Sequence, residues 1–154
     1  LPSWRMASWR RSVLSRYGNG LPSSKTYPHF CHPQVIDMYS PKVDRKDLYR
    51  EIYMMNRIKH RHVVEVYEMF NLEPGHLAIF MEYAEGGDLC ELLADERSWL
   101  DEYRASLFYR QFGGALQYMH LLGFAHRDMK LENVLLMDKE RTITKLTDFG
   151  FARR

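Results

Sequence analysis

The chain has 154 residues, 45% of them apolar and 27% charged, the profile of one globular domain with enough apolar side chains for a core. Its 22 basic and 20 acidic residues leave a formal charge of +2, which gives no support to a polyanionic partner such as nucleic acid. Runs of about 18 apolar residues, the length a membrane span needs, are absent. Cys31 and Cys90, distant in sequence, suit reduced thiols of the cytoplasm, or of the nucleus, better than a disulfide framework.

Residues 1–36 contain no Asp or Glu but carry Arg5, Arg10, Arg11, Arg16 and Lys25 among Ser, Trp and Pro. Such a start can resemble a mitochondrial transit peptide, but a disordered basic leader or a wrongly joined coding segment is the preferred expectation. Turn residues in YGNGLPSS and the prolines at 22, 28 and 33 argue against a packed element there. Composition shifts at Asp37.

From Asp44 an amphipathic helix is expected to run to Lys59, because Leu48, Ile52, Met55 and Ile58 recur at helical spacing. HVVEVYEMF, 62–70, alternates and is rich in β-branched and aromatic residues, the mark of a strand. LAIFMEY, 77–83, is nearly all apolar and predicts a strand buried on both sides. After AEGGD, a short helix is expected at CELLADE. A longer one follows over 100–123, capped near Asp101 and stopped by Gly123. Gly113 and Gly114 within it each cost about 1 kcal/mol relative to Ala, so close packing is expected there. VLLM and TITKLT predict two short strands around the turn DKER. The order is mixed α and β without βαβ regularity or internal repeat.

Moving a phosphoryl group requires a carboxylate to position a hydroxyl, a cation for the transferring group, and hard oxygens for a divalent metal. HRDMKLEN, 126–133, and DFG, 148–150, offer Asp128, Lys130, Asn133 and Asp148 for these tasks. FAHRDMKLENVLL followed by LTDFG resembles the catalytic and metal-binding loops of eukaryotic protein kinases, with Met129 where Leu is usual. The two Asp lie 20 residues apart, with the motifs in the family's order.

The resemblance implies an α+β, protein-kinase-like bilobal fold, represented in part: some of the small lobe and the first part of the large lobe, over 37–154. It implies transfer of the ATP γ-phosphate, with Mg²⁺, to a Ser or Thr hydroxyl of a protein substrate. Asp128 would orient the hydroxyl and accept its proton, Lys130 would neutralise the phosphate, and Asn133 and Asp148 would hold the metal. Lys130 two residues after Asp128 is similar to serine/threonine kinases, and Glu132 matches a position that contacts a basic substrate motif in many of them. Glu51, in LYREIYMM, resembles the helix glutamate that pairs with an ATP-positioning lysine. In IFMEYAEGGDL, Met81 would be the gatekeeper, the backbone of Glu82 and Ala84 would face adenine, and Asp88 would lie near the ribose. His126, Phe149 and Met55 would join an apolar spine. The wording KLTDFGFAR is similar to the calcium/calmodulin-dependent group, and within it to testis-specific serine kinases.

Two departures accompany the resemblance. GNG at 18–20 is a weak counterpart of the glycine-rich loop, and in CHPQVID Gln34 stands at the lysine place, where a neutral amide cannot give a charge-assisted contact. Lys25 and Lys42 are the alternative cations. The chain ends at FARR, so a sequence incomplete at both ends is expected, with little activity of its own. The alternatives are a pseudokinase, a truncated non-catalytic interaction module, or a small-molecule phosphotransferase. Neither a nucleic acid nor a membrane partner is expected, and the oligomeric state is left open.

Overall fold

The computed structural model describes residues 31–41, 43–72, 75–95, 100–150 and 152, with the backbone alone at 31–33. The chain divides into two units. One takes in the described part of Leu1–Val43 with Val66–Glu82, the other Asp44–Glu65 with the described part of Tyr83–Arg154.

The first unit is an antiparallel sheet of β1 (Cys31–Asp37), β2 (Val66–Leu72) and β3 (His76–Glu82), in the order β1-β3-β2. The apolar run of β3 places it in the centre, where Leu77, Ala78, Ile79, Phe80 and Met81 are all buried. Leu72, Ala78 and Phe80 form its core, with Val35 and Phe70 packed against them. Phe70 meets Phe80 edge to face at 5.6 Å between centroids. The register of β2 shifts between Val66 and Glu68, and this irregularity marks where the alternating pattern expected over 62–70 is divided. Its first residues do not join the sheet: Val63 bridges Leu146 in the second unit instead. The expected leader also ends sooner than residue 36. Residues 31–36 are strand, because β1 pairs along its length with β3, from Cys31 opposite Glu82 to Asp37 opposite His76. The remainder of the leader, residues 1–30 with Lys25 and GNG, and Lys42 lie outside the described residues.

In the second unit α1 (Arg45–Arg57) starts at Asp44, whose carboxylate accepts from the N–H groups of Lys46 and Asp47. Leu48, Met54 and Met55 are its buried side chains, joined by Ile58 at the C-cap, each worth about 1.5–3 kcal/mol if fully removed from water. Ile52, expected on that face, is half-buried and Met54 takes its place. α2 (Leu89–Ala94) is closed by a reciprocal capping box between Asp88 and Glu91. α3 (Glu102–Leu121) is capped by Asp101, whose Oδ1 accepts from Arg104 N–H at 2.7 Å. A 3₁₀ turn (Leu131–Asn133) leads into β4 (Val134–Leu136), which pairs antiparallel with β5 (Thr144–Leu146).

Two glycines behave differently. A Cβ on Gly86 would come within 2.6 Å of Asp138 O and 2.8 Å of Leu136 Cβ, so glycine is required where the AEGGD segment lies on the β4–β5 hairpin. Gly114 has nothing within 4 Å of its Cβ position. The close packing expected at Gly113 and Gly114 is therefore not found among the described residues, and Gly114 carries the helix cost without that return. No helix among the described residues is long and apolar enough to cross a membrane, and the Cys90 thiol is free.

Candidate active site

The segment after α3 turns sharply. Gly123 at φ +80° ends the helix, and Arg127 follows at φ +68°, a left-handed conformation that costs a non-glycine residue about 1 kcal/mol or more. The turn carries Asp128 to a point where the Lys130 ammonium donates to its Oδ2 at 2.8 Å and the Asn133 amide donates to the same oxygen at 3.1 Å. Asn133 Nδ2 also donates to the Asp128 carbonyl at 2.8 Å. These three residues, spread over six positions of sequence, thus share one carboxylate. The hydrogen bond from Lys130 holds the Asp128 carboxyl below the usual carboxylate range, and the same contact raises the Lys130 ammonium above its ordinary value.

Behind the loop lies His126, 1% exposed. Its Nε2 lies 3.1 Å from the Thr147 carbonyl, which can only accept, so Nε2 carries the proton and Nδ1 is left to accept the Asp128 N–H at 3.4 Å. Burial is the main cause of a lowered His126 pKa, and the ring is neutral. It packs on Phe149, centroids 5.3 Å apart. Thr147 N–H donates to the Asn133 carbonyl at 3.0 Å, so the loop is bonded directly to the residue before Asp148.

Asp148 is the second non-glycine residue of this region with positive φ, +62°, and its Oδ1 accepts from Gly150 N–H at 3.3 Å. A Cβ at Gly150 would lie 3.4 Å from that oxygen and 3.9 Å from Glu51 Oε2. The carboxylates of Glu51 and Asp148 therefore face the same small space. Burial first, and the Asp148 charge second, raise the Glu51 pKa. Among the described residues no basic side chain forms an ion pair with Glu51.

The other expected site residues are placed separately. Met81 is buried near the end of β3 and Glu82 closes that strand, half-buried. Ala84 is half-buried, and Asp88 Oδ1 accepts from Glu91 N–H at 2.8 Å as the cap of α2. Glu132 is exposed. Gln34 lies opposite Ile79 in the sheet with its side chain exposed. A groove of about 440 Å³ on α3, lined by Tyr109, Phe112, Leu116, His120 and Leu121, shares no residue with these groups.

No cluster of three or more His, Cys, Asp and Glu able to hold a metal exists among the described residues. The fit for Mg²⁺ is of another kind. With Asn133 Nδ2 committed to Asp128, its Oδ1 remains as a hard acceptor, and Asp148 supplies a carboxylate. A small cation that keeps waters and takes phosphate oxygens needs few protein ligands.

The sequence patterns did not single out Gln111, Thr144 or His62, although these three hold the strand leading to Asp148. A Gln on the α3 face toward β5 and a buried Thr inside a three-residue strand are the only signals, and both are common in ordinary cores.

Comparison with known proteins identifies the family. A family model of the protein kinase domain matches residues 30–154. Human myosin light chain kinase 2, skeletal/cardiac muscle, is 36% identical over 121 residues, covering 79% of this chain and 20% of the relative. Human testis-specific serine/threonine-protein kinase 3 is 34% identical over 153 residues, covering 88% of this chain and 56% of that protein. The chain thus spans one fifth of the first relative's length and just over half of the second's. The crystal structure of the yeast RNA Pol II CTD kinase CTDK-1 complex contains a chain with the same fold, at a TM-score of 0.69 and 23% identity, over 80% of this chain and 39% of that one. Since the family match takes in most of the sequence, both strands of the β4–β5 hairpin and the loop between α3 and β4, this chain belongs to the protein kinase family.

Proposed function

We propose that the protein carrying this chain is a serine/threonine protein kinase that transfers the γ-phosphoryl group of ATP, with Mg²⁺, to a hydroxyl of a protein substrate. The observation that carries the proposal is the Asp128 carboxylate, kept ionised by Lys130 and oriented by Asn133. A carboxylate held this way is a weak base but a firm acceptor, suited to orienting a hydroxyl whose proton becomes acidic only as the phosphoryl bond forms. Lys130, bonded to the same carboxylate that would accept the hydroxyl, supplies positive charge next to where negative charge develops. Asn133 Oδ1 and Asp148 would hold Mg²⁺, which when bound neutralises the phosphate oxygens. Glu132, exposed beside this loop, offers a carboxylate to a basic residue of the substrate. Met81, Glu82, Ala84 and Asp88 are proposed to contact the nucleotide, and Glu51 to pair with a cation that grips it. With the Cys90 thiol free and only two cysteines in the sequence, a cytoplasmic location is proposed.

Phosphate transfer from labelled ATP by the full-length protein tests this reading. Serine- and threonine-containing peptides, basic sequences among them, should be labelled in the presence of Mg²⁺ and not in EDTA. Labelling confined to a panel of small alcohols would overturn the protein-kinase reading, and nucleotide binding without any transfer would mark a non-catalytic module.

A further inference from the structure

β5 has three residues, too few to hold its register by one ladder alone, yet it determines where Asp148 lies two residues beyond its end. A slip of one position would displace Asp148 by about 3.3 Å and turn its side chain to the opposite face. Several bonds outside the β4–β5 ladder prevent this. Leu146 N–H donates to the His62 carbonyl at 2.9 Å, and Val64 N–H donates to the Leu146 carbonyl at 2.9 Å.

The remaining bonds converge on Thr144, 0% exposed. Its N–H donates to Gln111 Oε1 at 2.6 Å, and its hydroxyl donates to the same oxygen at 2.9 Å. Its carbonyl accepts from His62 Nδ1 at 2.9 Å. Gln111 Nε2 donates in turn to the Thr142 carbonyl at 3.0 Å. One carboxamide therefore accepts from residue 144 and donates to residue 142, as the edge of a neighbouring strand would. His62 is itself fixed: its N–H donates to His60 Nδ1 at 3.2 Å, and the His60 ring stacks on Tyr118 of α3 at 5.3 Å and 24°. Gln111 and Tyr118 are seven residues apart, two turns along one face of α3. The helix thus acts on β5 at two points, once directly and once through the two histidines.

We propose that Gln111 and His62 are positioning residues for Asp148: acting through the buried Thr144, they set the register of β5 and with it the placement of the metal-binding carboxylate. The proposal rests on the kinase reading for the role of Asp148, and not for the clamp itself. Each polar group of Thr144 that loses its partner stays buried without compensation, so the strand cannot keep its place at no cost when Gln111 is removed. Metal sites are sensitive to the groups that orient their ligands, commonly by about 10–100-fold in affinity.

The experiment compares ATP affinity in Mg²⁺ with ATP affinity in EDTA for the full-length protein and its Gln111→Leu, Thr144→Val and Thr144→Ser variants, alongside amide hydrogen exchange at 145–149. In Gln111→Leu the gain in affinity that Mg²⁺ brings should fall about tenfold, with metal-free affinity unchanged within about twofold and exchange at Leu146 and Asp148 accelerated. Thr144→Ser, which keeps the hydroxyl, should behave as the parent, and Thr144→Val should fall between. An unchanged Mg²⁺ gain in folded Gln111→Leu, or equal loss with and without the metal, would overturn the positioning role. If Gln111→Leu does not fold, the Thr144→Val and Thr144→Ser pair decides by the same readouts, and equal behaviour of the two overturns it. If the parent protein shows no Mg²⁺-dependent ATP binding, the kinase reading fails by itself. Exchange at 145–149 then decides the clamp alone, and unaltered protection in Gln111→Leu rejects it.

Discussion

The loop around Asp128 and the sheet carrying Gln34 handle charge in opposite ways. Around Asp128 the charge is shared: Lys130 and Asn133 both donate to its carboxylate, and Asn133 and His126 are bonded to Thr147, the residue before Asp148. In the first unit Gln34 is neutral and exposed on β1; in the second, Glu51 sits beside Asp148 without a basic partner among the described residues. The groups proposed for transfer are locked together by short-range contacts. Among the described residues, those proposed for gripping phosphate have no basic side chain paired with Glu51. The contacts that fix the Asp128 carboxylate are thus made within a short segment, whereas Gln34 brings no positive charge to the role proposed for a lysine.

The comparison breaks most readily at Asp128. Asp128→Asn keeps the shape of the side chain but removes the charge shared by Lys130 and Asn133, and turnover of the full-length protein should fall by about 10²–10⁴-fold. ATP affinity should change little. Activity within a few fold of the parent, measured by phosphate incorporation, would remove Asp128 from its proposed role.

On the other side, Gln34→Lys should tighten Mg²⁺·ATP binding. A charge-assisted hydrogen bond contributes about 1.5–3 kcal/mol, or roughly ten- to a hundredfold by calorimetric titration. An unchanged affinity would show that Gln34 does not stand at the place where a lysine grips phosphate.

A pH series sharpens the contrast further. Burial lowers the His126 pKa in the folded protein, so the unfolded chain binds the proton more readily as pH drops below about 6.5, the ordinary imidazole value. Stability should therefore decline from that pH downward, toward the lower folded value. Asp128 adds to the loss at more acidic pH. Its pKa is depressed by Lys130, and its contribution is present above the ordinary carboxylate value and lost as pH falls through the folded one. Denaturant midpoints should decline in turn over these two ranges, and the first decline should shrink in His126→Gln, leaving the part that the lowered pKa of His60 contributes. A decline equal in the parent and in His126→Gln would contradict the burial of His126.

The smallest effect expected is a gain. Gly114→Ala fills open space beside α3 and should stabilise the protein by about 1 kcal/mol, read from the same denaturation curves. The Mg²⁺ response should not change, because Gly114 touches none of the groups around Asp128. A loss of stability would show that something covers this face of the helix.

Much of this fold can be read locally, because the signals are local. Asp44 and Asp101 announce their helices by accepting from N–H groups within three residues, and the unbroken apolar run of β3 identifies it as a central strand. The signals weaken where a segment's partner is distant. Over 62–70 the alternating pattern cannot reveal that Val63 and Val64 bond to Leu146 while Val66 begins a different sheet. The basic composition before Asp37 likewise conceals a strand at 31–37, whose ladder to β3 does not depend on acidic residues.

By itself the sequence determined the family and pointed to the set Asp128, Lys130, Asn133 and Asp148, since phosphoryl transfer demands particular residue types at short spacing and the order of motifs is hard to reach by chance. The tertiary structure alone decided what holds that set in place. His62, Gln111 and Thr144 are each unremarkable in their own neighbourhoods. They become a clamp because the fold brings residues 33 and 82 positions apart within hydrogen-bonding distance, and a buried polar group must find its partner wherever the chain has placed one.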